Sequence, residues 1–202
     1  VTRVLFLPYA LRDHDTYAAK ARAAFGSLGR SLLSAHETDS PVGAVENAEA
    51  VFCGGGNTFR LLAALHGLGL VVALRRRATS GMPYLGASAG SNVACPTIRT
   101  TNDMPIVEPP TFEALGLVPF QINPHYVDPQ PGSTHMGETR EERILQFHEE
   151  NATPVVALRE GAMVRVTGES AVLEGRAGAR VFRRGEPPVE VSPGASLAAL
   201  LR

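Results

Sequence analysis

The sequence predicts an α/β protein: a doubly wound, mostly parallel sheet with helices on both faces and antiparallel strands at its C-terminal edge. Three observations carry that prediction. Short apolar runs alternate with helical patterns over the first 160 residues, as a sheet with crossover helices requires. Two of those runs end in small-residue turns, Gly54-Gly55-Gly56 and Gly86-Ala87-Ser88-Ala89-Gly90, each followed by a helical pattern. After Glu160 the pattern becomes short alternating runs between Gly-rich turns, which reads as an antiparallel edge of the same sheet and not as a second domain. At 202 residues, 44% of them apolar, the chain has material for one sizeable core, so residues 1–202 are taken as a single domain.

The elements follow in order. Residues 4–7 form a first strand, and 15–28 a helix with Ala and Phe on one face. Residues 31–35 give a second strand, 42–48 a short helix, and 51–53 a third strand that stops at the three glycines. Helices are predicted at 58–65 and 70–78, the second with Arg75, Arg76 and Arg77 near its C-terminal end, where cations suit the helix dipole. Residues 82–85 make a buried strand, with a helix after Ser88. Residues 96–119 hold several prolines and read as a long loop. Strands at 120–122 and 155–158 flank a helix from about 139 to 150, and the runs at 163–166, 171–173, 180–182 and 189–191 complete the antiparallel part.

Composition narrows the function classes. A formal net charge of −1 leaves no basic footprint for nucleic acid or an anionic membrane. No apolar run reaches the ~18 residues of a membrane span, and the first eight residues read as a strand and not as a signal peptide. Cys53 and Cys95 alone make neither a disulfide framework nor a metal-ligand spacing. The expectation is a cytoplasmic protein with no metal and no cofactor, and homo-oligomerisation is left open.

The chemistry concentrates in a few turns. G-x-S-x-G between a strand and a helix is the nucleophile-elbow pattern: small flanking residues allow a turn sharp enough to present Ser88 Oγ above the sheet. The N–H after it, on Ala89, can then donate to an oxyanion, and Gly55 or Gly56 at the end of the neighbouring strand can supply the second donor. The glycine run is a poor phosphate loop, since no Lys-Ser/Thr follows and the spacing is not G-x-G-x-x-G. Of the six histidines, His125 is the best base, because Gln121-Ile122-Asn123-Pro124-His125 places it just past a strand end. His135 is a second candidate, in a polar loop. Two acids compete to orient the base: Glu160, past the next strand, is favoured, and Asp103 is the alternative, with a place beside the substrate ammonium if Glu160 takes the role.

These residues resemble the peptidase E (aspartyl dipeptidase) family of serine peptidases. The carrying segments are Glu46-Asn47-Ala48-Glu49, Gly54-Gly55-Gly56-Asn57-Thr58-Phe59, Ser88-Ala89-Gly90, and the long run from Ala94 through Pro96-Thr97-Ile98-Arg99-Thr100-Thr101-Asn102-Asp103-Met104-Pro105 to Val107. Gln121-Ile122-Asn123-Pro124-His125 and Gly137-Glu138-Thr139-Arg140 extend it, so the resemblance covers roughly residues 43–160. It implies a class I glutamine amidotransferase-like fold and hydrolysis of dipeptides with N-terminal aspartate through a serine ester. The family's nucleophile matches Ser88 and its histidine His125, while its acid has been placed at the positions of both Asp103 and Glu160. The substrate carboxylate calls for a bidentate arginine, Arg140 first and Arg99 second. Its ammonium would meet Asp103 or the Asn57 carbonyl.

The rivals are cyanophycinase-like cleavage of β-aspartyl-arginine units and a non-catalytic binding protein of the same fold. Three departures from the family stand out. Members carry a further strand and helix before the segment matching residues 3–8. Ala87 stands where a larger residue can precede the nucleophile, and the loop 126–136 is one residue longer.

Overall fold

The structure, a computed structural model, describes residues 1–129, 132 and 137–202. Within them the chain forms two compact units, Val1–Ile98 with Asp103–Leu117, and Arg99–Asn102 with Val118–Arg202. The loop 126–136 therefore falls partly outside the described residues, and His135 falls wholly outside them.

The first unit runs β1 (Arg3–Leu7), α1 (His14–Ser27), β2 (Ser31–Ser34), α2 (Pro41–Glu46), β3 (Val51–Cys53), α3 (Thr58–Gly67), α4 (Leu70–Thr79), β4 (Tyr84–Gly86) and α5 (Ala89–Ala94). Its strands pair in the order β2-β1-β3-β4, all parallel. The period-2 alternation of strand side chains decides what covers each face. Leu5, Leu7, Val51 and Cys53 pack with Val45 of α2, Leu61, Leu62 and Leu65 of α3, and Leu70 and Leu74 of α4. Phe6 and Leu32 point the other way, to Ala18 and Ala21 of α1, with Tyr17, Phe25 and Phe52 closing that cluster. Helices thus cover both faces, as a doubly wound sheet requires.

Helix starts follow from local chemistry. Asp13 accepts from the Thr16 N–H at α1, Ser40 caps α2 with Pro41 in its first turn, and Asn57 accepts from the Arg60 N–H at α3. No single helix among the described residues is long and apolar enough to cross a membrane. The consecutive apolar helices α3 and α4 are bent by 95° and carry much of the first unit's core.

The second unit runs β5 (Gln121–Asn123), α6 (Arg140–Glu150), β6 (Val155–Leu158), β7 (Ala162–Thr167), β8 (Ser170–Gly175), β9 (Ala179–Phe182) and β10 (Val189–Val191). Strand order is β10-β9-β6-β5, with β5 and β6 parallel and the other two pairings antiparallel. One face packs Val155, Ala157 and Phe182 against Ile144 of α6 and Tyr126. A capping box between Thr139 and Glu142 fixes the start of α6.

Two expectations are corrected. Only β9 and β10 extend the strand system of β6 as an antiparallel edge, whereas β7 and β8 pair with each other as a separate two-stranded sheet. Gly175, at φ +108°, ends β8 at the open end of that hairpin, where a Cβ would collide with the Gly161 carbonyl. The strand expected at 82–85 to be buried runs instead from Tyr84 to Gly86, at the edge of its four-stranded sheet, with Leu85 48% exposed.

Candidate active site

In the first unit the chain leaves β1 towards β2 and leaves β3 towards β4, so the strand order reverses between β1 and β3. The crevice outside the carboxyl ends of strands at such a point is where open α/β sheets take their ligands. The Gly54-Gly55-Gly56 run lies there. The pairing Cys53↔Gly86, carried two residues on, sets Gly55 beside Ser88, and a Cβ on Gly55 would lie 3.0 Å from Ser88 Cβ.

Ser88 joins β4 to α5 at φ 51°, ψ −109°. A non-glycine residue held there costs about 1–3 kcal/mol, so its surroundings must enforce it. They do so through backbone bonds: the Ala87 N–H donates to the Cys53 carbonyl at 3.1 Å, and the Ser91 and Asn92 N–H groups donate to the Ser88 carbonyl at 2.8 and 3.1 Å. Side chains add to this, with Ser91 Oγ donating to Gly86 O at 2.9 Å and the Tyr84 hydroxyl to Gly90 O at 2.7 Å. A Cβ on Gly90 would run into the Cys53 carbonyl, and one on Gly86 into the Gly90 carbonyl. The G-x-S-x-G spacing is thereby explained sterically. Ala89 is the first residue of α5, and an N–H in that position has no acceptor within its own helix.

Asn57 and Asp103 build the start of α3. The Asn57 amide accepts from Arg60 N–H at 3.0 Å and donates to Met104 O at 2.8 Å. Asp103 Oδ2 accepts from both the N–H and the hydroxyl of Thr58, at 2.7 and 2.6 Å. A carboxylate at this end of a helix satisfies an orphan donor and complements the dipole.

In the second unit the pairing Asn123↔Ala157 carries His125 level with Arg159, one residue from Glu160. The Glu160 carboxylate meets His125 Nδ1 in a hydrogen bond. With Nδ1–H given to the carboxylate, Nε2 is the ring nitrogen left to accept a proton. The turn is closed by the Tyr126 N–H donating to Leu158 O at 2.9 Å, and His125 itself has φ 57°. Among the described residues, Ser88 and His125 are the two non-glycine residues with positive φ. The pair's side chains are 51% and 80% exposed, so it adds little stability.

Sequence reasoning missed the lacing of Thr100, Asn102 and Asn123. Thr100 Oγ1 donates to Ile122 O at 2.9 Å, and Asn123 Nδ2 to Thr100 O at 2.9 Å. Asn102 Nδ2 then donates to Pro124 O at 2.9 Å, directly before His125. The available signal was three polar residues in otherwise extended, partly apolar segments. Arg99 is exposed in the short stretch Arg99–Asn102, and Arg140 is the half-buried first residue of α6, behind Thr139. Cys53 is no rival nucleophile, since burial pushes its thiol up to about 12.

The model of the family described as peptidase family S51 matches residues 1–174. Peptidase E of Streptomyces coelicolor is 58% identical over 199 residues, which span 98% of this chain and 82% of that protein. A Drosophila melanogaster protein named "Probable alpha-aspartyl dipeptidase" is 49% identical over 203 residues, spanning 100% of this chain and 85% of the other. The solved structure of a peptidase from an acI-B1 actinobacterium superposes with a TM-score of 0.70 over 96% of this chain and 82% of its own, and at 17% identity it supports the fold alone.

Proposed function

The chain belongs to peptidase family S51, and from that premise we propose that it is a cytoplasmic serine exopeptidase that hydrolyses dipeptides with an N-terminal aspartate, residues 1–202 acting as one peptidase domain. The observation that carries the reading is Ser88, held at φ 51° between a strand and a helix with Gly55 against its Cβ. That is the backbone a nucleophile elbow needs.

Ser88 Oγ attacks the scissile carbonyl while His125 Nε2 takes its proton. The C–N bond then breaks as the same proton passes to the leaving amine, and water hydrolyses the aspartyl ester by the reverse relay. Glu160 fixes the tautomer of His125 and stabilises the imidazolium. The oxyanion is held by the Ala89 N–H and by Gly55 or Gly56, each donor worth roughly 3 kcal/mol of transition-state stabilisation. Arg140, with Arg99 second, receives the aspartyl carboxylate, and the substrate ammonium meets Asp103 or the Asn57 carbonyl. The relatives' names, peptidase E and probable alpha-aspartyl dipeptidase, support this substrate class.

The test is a panel of Asp-Leu, Ala-Leu, N-acetyl-Asp-Leu and β-Asp-Arg, assayed with the native protein and with Ser88→Ala. Asp-Leu is cleaved at least ~100-fold faster than the others, because only it places both a carboxylate and an ammonium correctly about an α-peptide bond. Absence of Asp-Leu hydrolysis overturns the reading. Faster cleavage of β-Asp-Arg would make the chain cyanophycinase-like, and equal rates on the acetylated substrate would end the exopeptidase assignment.

A further inference from the structure

Three consecutive glycines form the least constrained backbone available. An oxyanion donor works only if it is fixed before the charge develops. What holds the run 54–56 therefore matters to the chemistry. Its ends are tied by backbone bonds, Gly54 N–H to Leu7 O at 3.2 Å and Asn57 N–H to Ala10 O at 3.0 Å. Between those ends four side chains close on the loop: Phe6 and Tyr17 at Gly54, Ser88 at Gly55 and Leu11 at Gly56.

Tyr17 of α1 lies under it. A Cβ on Gly54 would sit 2.5 Å from Tyr17 Oη and 2.8 Å from Cζ, so the phenol occupies the space that a side chain at 54 would need. The ring stands edge-on against Phe6, 4.9 Å between centroids at 86°, and Phe6 is fully buried. The hydroxyl is thus carried on a rigid aromatic platform. Burial pushes the phenol above its ordinary range, which keeps it neutral at working pH. The far side of Gly55 meets Ser88.

We propose that Tyr17 is a positioning residue for the reaction: its phenol, packed under Gly54, holds the Gly54–Gly55 peptide against the Ser88 turn and so fixes the loop's oxyanion donor. Gly56 is itself held at φ +134°, with its Cβ position 2.7 Å from Ala10 O and from Leu11 Cδ2, so the far end of the run is closely packed as well. The inference rests on Ser88 being the nucleophile.

Tyr17→Phe keeps the ring and its contact with Phe6 and removes only the hydroxyl. It lowers kcat on Asp-Leu about 10- to 100-fold, the cost of a misplaced donor, with KM changed less than ~3-fold. An aldehyde analogue of aspartate, which forms an oxyanion on Ser88, loses affinity by the same factor, while inhibition by free aspartate is unchanged. The proposal is overturned if kcat and aldehyde affinity stay within ~2-fold of native, or if the loss falls equally on free aspartate, as a general structural role would give. Ser88→Ala is assayed beside it. An active Ser88→Ala removes the reading underneath, whereas an inactive one with an unimpaired Tyr17→Phe removes the positioning role alone.

Discussion

Asp103 and Glu160 are both acids within reach of a plausible triad on paper, yet their neighbourhoods differ. Asp103 accepts two bonds from Thr58 at the start of α3, one of them from a backbone N–H. Glu160 meets an imidazole nitrogen, on a side chain that is 80% exposed. The same functional group thus does two jobs. At a helix N-terminus it satisfies an orphan donor and complements a dipole, and so stabilises the fold. On a histidine it selects a tautomer, and its exposure leaves it almost no part in stability. What a carboxylate does is set by the donors facing it.

The largest effect expected is at the group both acids are judged against. Ser88→Ala should reduce Asp-Leu hydrolysis by at least ~10⁴-fold with the fold intact by circular dichroism; substantial residual turnover would void the comparison altogether. Next is Glu160→Gln, which keeps the size of the side chain but not its charge. It should lower kcat about 10³- to 10⁴-fold and leave the thermal midpoint within ~2 °C. Asp103 should show the opposite balance. Asp103→Ala removes both bonds to Thr58 and should cost about 1–2 kcal/mol in denaturant unfolding, whereas Asp103→Asn, whose amide oxygen can still accept them, should cost less than ~10-fold in kcat. A loss near 10⁴-fold in Asp103→Asn beside a harmless Glu160→Gln would exchange the two assignments.

A control comes from another acid–histidine contact, Asp15 Oδ1 to His36 Nε2 at 3.0 Å. Asp15→Asn should change kcat by less than ~2-fold, because no reacting group in the proposed mechanism depends on that pair. A large loss there would mean that carboxylate–histidine contact by itself is no guide to role. The smallest effect concerns His14, whose pKa is lowered mainly by burial and then by His36. The unfolded chain then binds this proton more readily than the folded one, so stability falls as pH drops from about 7 through the unfolded pKa near 6.5. His14→Gln should flatten the thermal midpoint between pH 7 and 5; an unchanged slope would dismiss the effect.

Much of this was legible because it is local. The strand at 51–53, the glycines after it and the turn around Ser88 depend on neighbours in sequence. His125 and Glu160 each follow a strand by two residues, and parallel pairing of those strands does the rest. The misses are non-local. The runs forming β7 and β8 alternate much as those of β9 and β10 do, and only long-range pairing separates the hairpin from the sheet edge. The bonds from Thr58 to Asp103 leave no mark in the sequence around either residue, because the two lie 45 residues apart. Tyr17 reads as one more apolar position on α1, since nothing local to a helix tells where a loop after β3 will end.

Gly90 fits against the Cys53 carbonyl with no space for a side chain, and the thiol of Cys53 is sealed into the same packing. Cys95 is equally buried. At neutral pH a thiol raised to about 12 is scarcely ionised, so alkylating reagents find almost no thiolate to attack. Pulse alkylation read by mass spectrometry should therefore act as a clock for opening of the first unit, slow in native buffer and fast in denaturant. Labelling at equal speed in both would contradict that packing. The elbow thus carries a built-in reporter of its own integrity, readable without substrate.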